Sequence, residues 1–150
     1  MIRDGGIMDI LEYGKEQLVE RNLNLLVLKE DKEIVFQSNK MGILPMYEFF
    51  RLNVEEEVYV IDKFIGLGAS RLLLNSKSKV MGLFTFVISK DAKELLKVNN
   101  IEVVNEREVE KILNKDKTDF CPIEKLSMRN ANFDDFREKL EEFISKMKQK

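Results

Sequence analysis

The segment VMGLFTFVISKDAKELLKVNNIEVV, residues 80–104, decides the fold because it reads as a strand, a helix and a second strand in succession. Val80–Ile88 is an apolar run rich in strand-forming residues. Ser89 precedes a helical pattern over Lys90–Val98 and is a good N-cap residue. Ile101–Val104 is again strand-like. Such alternation favours parallel neighbouring strands joined by right-handed crossovers.

The preceding part of the chain repeats this pattern. Glu57–Ile61 is a short β-branched run, and a helix over Phe64–Leu74 follows it. Asp62 is the natural N-cap of that helix. Gly66 and Gly68 lower helix propensity but allow another backbone to approach closely, so the helix is expected to pack tightly on a sheet.

The N-terminal third predicts a β-hairpin between two helices. The strands are Leu23–Leu28 and Glu33–Gln37, with a polar turn between them. Helical patterns over residues 9–21 and Gly42–Leu52 flank the hairpin. The predicted fold is a three-layer α/β domain, with a mixed sheet, an antiparallel N-terminal hairpin and helices on both faces.

The C-terminal part predicts a helical extension. A short helix is expected over Arg107–Leu113, and Cys121–Leu126 opens another turn after a polar loop. Apolar residues at spacings of three and four predict a final helix, from Phe133 to Met147, that packs against the core. We therefore expect the 150 residues to form one domain, with a core at about 9–104 and an extension at about 105–150.

Composition removes several classes of site. The chain has no histidine and one cysteine. It therefore lacks the Ser-His-Asp and Cys-His nucleophilic systems, histidine acid–base chemistry and ordinary histidine-containing zinc sites. A tetrahedral zinc site would need mostly carboxylate ligands, which is an uncommon set. No metal or cofactor is expected.

Charge and hydropathy limit the partners and the location. The 25 basic and 27 acidic residues give a formal charge of −2, so no large positive field is available for duplex nucleic acid. Apolar stretches such as Leu23–Leu28 are far shorter than the roughly 20 residues of a membrane span. We expect a cytoplasmic protein that contacts neither duplex nucleic acid nor membrane, and the single cysteine is compatible with a reducing compartment.

The element order over residues 9–104 resembles the cytidine deaminase-like fold. Two short segments, Val60–Gly66 (VIDKFIG) and Cys121–Leu126 (CPIEKL), resemble an uncharacterised bacterial domain-of-unknown-function family assigned to that fold. In zinc deaminases one helix start supplies a His or Cys with a catalytic Glu, and the next supplies two Cys. The resemblance places these starts near Lys40–Leu44 and Asp62–Ile65. Neither contains His or Cys and the first has no Glu, so a canonical zinc-dependent deaminase is excluded.

The cavity between those helix starts would remain without the metal. Helix N-termini present unpaired N–H groups and partial positive charge, which suits a small anionic or nucleotide-like ligand. The candidate ligand-binding residues are Asp62, Lys63, Lys40 and Gly42. The alternative interpretation of Asp62 and Lys63 is a helix cap followed by a solvated lysine.

Cys121 supports a second hypothesis. It precedes Pro122 and is expected at a helix N-terminus, where a thiolate is favoured. A metal-independent enzyme could use Cys121 as its nucleophile, with Asp62, Lys63 or Glu124 nearby. Free cysteines are, however, often buried as small hydrophobic residues, and no histidine is available as a base. Convergence of the Cys121 and Asp62 side chains on one pocket would favour the enzyme hypothesis. A buried thiol far from Asp62 would exclude it. An oligomeric scaffold acting through homo-oligomer contacts is the third hypothesis.

Overall fold

The structure, a computed structural model, describes residues 6–113 and 121–148. Within these ranges the chain forms five strands and six helices. The strands are β1 (Leu25–Leu28), β2 (Ile34–Ser38), β3 (Glu57–Ile65), β4 (Lys79–Ser89) and β5 (Glu102–Val109). The helices are α1 (Ile7–Glu20), α2 (Leu44–Arg51), α3 (Leu67–Leu74), α4 (Lys90–Val98), α5 (Pro122–Arg129) and α6 (Phe133–Lys148). None of the helices in the described ranges has the length and apolar character needed to cross a membrane.

The strands form one mixed sheet in the order β2-β1-β3-β4-β5. β1 is antiparallel to both β2 and β3, whereas β3, β4 and β5 are parallel. The hairpin and the two strand–helix–strand crossovers predicted from the sequence are confirmed. The chain is therefore an α/β protein with a mixed sheet.

Helices cover the sheet on both faces. α1 packs on one face, where Ile10, Leu11 and Leu18 join a buried cluster with Ile61. Gly14 makes this packing close, because a Cβ atom there would lie 2.5 Å from Cγ1 of Ile61. The other five helices belong to a larger core on the opposite face.

The two C-terminal helices pack against other helices. α5 contacts α3 and α6, and the ring of Phe133 on α6 packs edge-on against Phe50 on α2, with 5.7 Å between centroids. Phe136, Leu140 and Ile144 form the buried stripe of α6. The predicted packing of the last helix is confirmed.

The helix predicted over Arg107–Leu113 is wrong, because β5 continues through Val109. β4 is 11 residues long, and its carboxyl end pairs Val87 with Arg107 and Ser89 with Val109. Hydrogen bonds of the parallel ladder pair the backbone N–H and C=O groups of this segment, and they outweigh its local helix propensity. Residues 105–109 therefore belong to the sheet rather than to a helical extension.

Two further boundaries differ from the prediction. β3 extends to Ile65, because Phe64 pairs with Val87 and Ile65 with Ile88 of β4. Asp62 therefore lies inside a strand and does not cap α3, whose N-cap is Gly66. The turn expected at Cys121–Leu126 is the start of α5.

Candidate functional site

A cavity of about 180 Å³ lies at the carboxyl end of β3, between the first turns of α2, α3 and α5. Its polar lining comes from Asn24, Asp62, Lys63, Cys121 and Glu124. The rest of the wall is mainly apolar and comprises Met41, Gly42, Ile43, Met46, Phe64, Gly66, Ala69, Ile112 and Ile123. Residues from five segments of the chain thus converge on one site.

Asp62 is held in the central strand of the sheet, opposite Leu25 of β1 and Thr85 of β4. The residue is half-buried, and its carboxyl group lies beneath the surface. Burial raises the pKa of this carboxyl well above its ordinary value of 3.8, although the backbone N–H groups of Lys63 and Phe64 act in the opposite direction. Ionisation of this carboxyl group therefore costs more free energy than ionisation of an exposed aspartate.

Lys63 follows Asp62 in β3 and also lines the cavity. Its backbone N–H donates to the carbonyl of Asn24, with 3.3 Å between N and O, and this bond fixes the strand end. Among residues 6–113 and 121–148, no carboxylate forms an ion pair with its ammonium group.

Glu124 supplies the cap of α3 that the sequence analysis assigned to Asp62. The backbone N–H of Leu67 donates to Oε1 of Glu124 at 2.7 Å, and Glu124 is only 2% exposed. Gly66 makes room for this contact, because a Cβ atom there would lie 2.0 Å from Oε1. Burial raises the pKa of Glu124, while the N–H groups of Leu67 and Gly68 and the charge of Lys111 oppose the rise. Sequence reasoning missed this role, because the contact joins residues 57 positions apart.

The loop before α2 is shaped by Asn24 and Gly42. The Nδ2 of Asn24 donates to the carbonyl oxygen of Lys40 at 2.8 Å. Gly42 has a φ of +67°, in the left-handed region that favours glycine, and lines the cavity. The side chain of Lys40 instead pairs with Glu48 at 2.6 Å and does not line the cavity.

Cys121 is the N-cap residue of α5 and is partly exposed. Its N–H donates to the carbonyl of Ile112 at 2.9 Å, which joins the start of α5 to the chain beyond β5. Of the candidate residues, the structure thus brings Cys121, Asp62, Lys63 and Gly42 to one cavity and leaves Lys40 outside it. Within the described ranges, no group of three or more Cys, Asp or Glu residues is arranged to hold a metal ion.

A family model described as TM1506, domain of unknown function (DUF1893), matches residues 14–144. The chain belongs to the DUF1893 family. A solved crystal structure of a DUF1893 family protein (TM1506) from Thermotoga maritima is 24% identical, with a TM-score of 0.78 over 95% of this chain and 97% of that chain. At this identity the likeness shows the fold shared with that DUF1893 protein. No curated protein matches the chain.

The ionisation of Asp62 should make stability depend on pH. The pKa of Asp62 is higher in the folded state than in the unfolded state, where it is about 3.9. Below the unfolded-state pKa the carboxyl is protonated in both states, and its contribution to the stability of the fold is fully present. That contribution is lost as pH rises through the folded-state pKa, because the buried carboxyl must then ionise. Asp62→Asn keeps an acceptor oxygen but cannot ionise. We therefore expect the unfolding free energy of the variant to gain on that of wild type between pH 4 and pH 8, by on the order of 1 kcal/mol or more.

Urea unfolding across this pH range measures the effect. Asp134→Asn, at an exposed position on α6, is the matched control and should leave the wild-type profile unchanged. Parallel profiles for wild type and Asp62→Asn would show that the Asp62 carboxyl is not buried as described.

Proposed function

We propose that this DUF1893 domain binds a compact nucleoside- or nucleotide-like ligand in the cavity at the carboxyl end of β3. The observation that carries the proposal is the buried carboxyl group of Asp62 on a mainly apolar cavity wall that Lys63 also lines. Apolar walls with a few fixed polar groups are typical of small-molecule sites. The cavity is smaller than the roughly 300–1,000 Å³ of drug-sized sites, which favours a base or nucleoside over a dinucleotide.

The chemistry of the wall suggests how such a ligand would lie. The exposed side chains of Met41 and Phe64 offer apolar surface at the rim for a flat ring. The carboxyl group of Asp62 would hydrogen-bond the polar edge of that ring, and the ammonium group of Lys63 would pair with an anionic substituent. These contacts fix both the orientation and the charge of the ligand.

A cytidine deaminase-like fold without zinc is part of the proposal. The order α1-β1-β2-α2-β3-α3-β4-α4-β5 is the order that the resemblance implies, and it supports this assignment. The starts of α2 and α3, where zinc deaminases hold their metal, both face the cavity. In this chain the two starts would bind the ligand directly.

A thermal-shift screen against nucleosides, nucleotides and sugar phosphates tests the proposal. A ligand present at about 100 times its dissociation constant adds roughly 2.7 kcal/mol to the stability of the folded state. We expect the best ligand to stabilise wild type and Lys40→Ala equally, because Lys40 lies outside the cavity. Lys63→Ala should lose most of the shift for phosphate-bearing ligands. Equal shifts for both lysine variants with a phosphate-bearing ligand, or no shift with any compound, would contradict the proposal.

The second candidate is a metal-independent enzyme that uses Cys121. The observation in its favour is the presence of Cys121 on the same cavity as Asp62 and Glu124. Incubation of a stabilising ligand with wild type and Cys121→Ser, followed by chromatography, separates the two functions. Conversion by wild type alone, with binding retained in the variant, would support the enzyme. An unchanged ligand in both samples would leave a binding domain.

A further inference from the structure

Glu124 occupies a place that is built to hold an anion. Its Oε1 accepts the N–H of Leu67, the first residue of α3, at 2.7 Å. The N–H of Gly68 also favours the charged carboxylate. The positive end of the helix dipole acts at the same point. Helix starts of this kind bind phosphate and carboxylate groups in other proteins.

The surroundings of Glu124 strengthen this arrangement. Lys111, which forms an ion pair with Asp91 at the start of α4, contributes a favourable charge to Glu124, while the more weakly acting charge of Asp91 opposes it. Gly66 has no side chain to compete for the space, since a Cβ atom would meet Oε1 at 2.0 Å. The carboxylate is nearly enclosed, with 2% of the residue exposed, yet it forms part of the cavity wall. Glu124 therefore occupies the space at this end of the cavity, and its carboxylate pairs with the N–H groups at the start of α3.

We propose that Glu124 is a specificity-determining residue that acts as an internal anion at the start of α3 and excludes anionic groups from that end of the cavity. The inference rests on the proposed ligand site and deepens it. An uncharged part of the ligand, bearing a hydrogen-bond donor, would face Glu124. The anionic group of the ligand would face Lys63 instead. The cavity would thus determine the orientation in which a nucleotide-like molecule binds.

Chemical rescue tests the proposal with formate as the probe. Glu124→Ala removes the carboxylate and leaves the Leu67 N–H unpaired, so formate should bind there and raise the melting temperature by about 2–4 °C for each kcal/mol of binding. Wild type should show no shift against sodium chloride at equal ionic strength. Glu141→Ala is the control. It removes a carboxylate outside the cavity that accepts a hydrogen bond from the Tyr47 O–H. Equal formate shifts in all three proteins, or none in Glu124→Ala, would overturn the proposal.

Glu124→Gln provides a second test if the alanine variant does not fold. The amide oxygen can still accept the Leu67 N–H, but the negative charge is gone. The negative charge of Glu124 repels phosphate, so its removal should strengthen the binding of inorganic phosphate about tenfold. The ¹H–¹⁵N signals of Lys63 and Gly68 would be used to follow this binding. Equal affinity in wild type and Glu124→Gln, or no binding to the variant, would overturn the proposal. Formate rescue does not require a nucleoside, so its failure is distinct from failure of the ligand screen.

Discussion

Phe136→Ala is expected to lower the free energy of unfolding by about 3–5 kcal/mol, the usual cost of removing a buried phenylalanine ring. Phe136 is 0% exposed on α6. Its Cζ lies 3.3 Å from the position that a Cβ atom of Gly68 would take, so the ring packs directly on α3. The guanidinium carbon of Arg71 lies 4.6 Å from the ring centroid. The substitution therefore removes core packing and a cation–π contact together.

Loss of this ring should also loosen the cavity. Arg71 donates hydrogen bonds to the carbonyls of Ser127 and Ala131, and these bonds hold the end of α5 against α3. Because Cys121 is the N-cap residue of α5 and Glu124 lies in its first turn, ligand affinity should fall with stability. Urea unfolding measures the first effect, and Phe143→Ala, a half-buried ring on the same helix, is the control with a smaller expected loss. Equal losses for the two variants would contradict the packing described for α6.

Gly66→Ala is expected to cost about 1–3 kcal/mol, because the new methyl group would overlap Oε1 of Glu124. Gly66 has a φ of −105° and a ψ of −176°, an extended conformation that alanine adopts without strain. The cost therefore comes from the contact with Glu124 and not from the backbone. The displaced carboxyl group would also leave the Leu67 N–H unpaired.

A double-mutant cycle isolates this contact. In a Glu124→Ala background the overlap with the carboxyl oxygen is absent, so Gly66→Ala should then cost much less. The remaining close neighbour is Cγ1 of Ile112 at 3.2 Å, which can yield by a small movement. Unfolding free energies of wild type, both single variants and the double variant give the coupling. Additive losses would show that Gly66 and Glu124 do not interact.

The sequence predicted the parts of the fold that depend on local signals. Ser89 was expected to cap α4, and its Oγ accepts the N–H of Ala92 at 3.3 Å. The spacing of apolar residues likewise predicted the buried stripe of α6, and the polar turn between two strand-like runs predicted the hairpin. The helix predicted at Arg107–Leu113 failed because pairing with β4, which is distant in sequence, decides the conformation there. Tertiary pairing of this kind overrides local propensity.

The candidate site shows the same division. Asp62, Lys63 and Gly42 were predicted from the helix starts that the deaminase-like resemblance implies, and all three line the cavity. The cap of α3 was assigned to Asp62, the acidic residue nearest in sequence, whereas Glu124 supplies it from α5. The only sequence signal was an acidic residue early in a second helix, which does not identify its partner.

The central claim is that the cavity at the carboxyl end of β3 is a small-ligand site, and ¹H–¹⁵N chemical-shift mapping tests it most directly. Uniformly labelled protein would be titrated with adenosine, cytidine and their 5′-monophosphates. We predict saturable shifts of the Gly42, Ile43, Lys63 and Gly66 amides with at least one compound, and no such shifts in α1, on the opposite face. Shifts confined to other surfaces, or none with any of the four compounds, would contradict the claim.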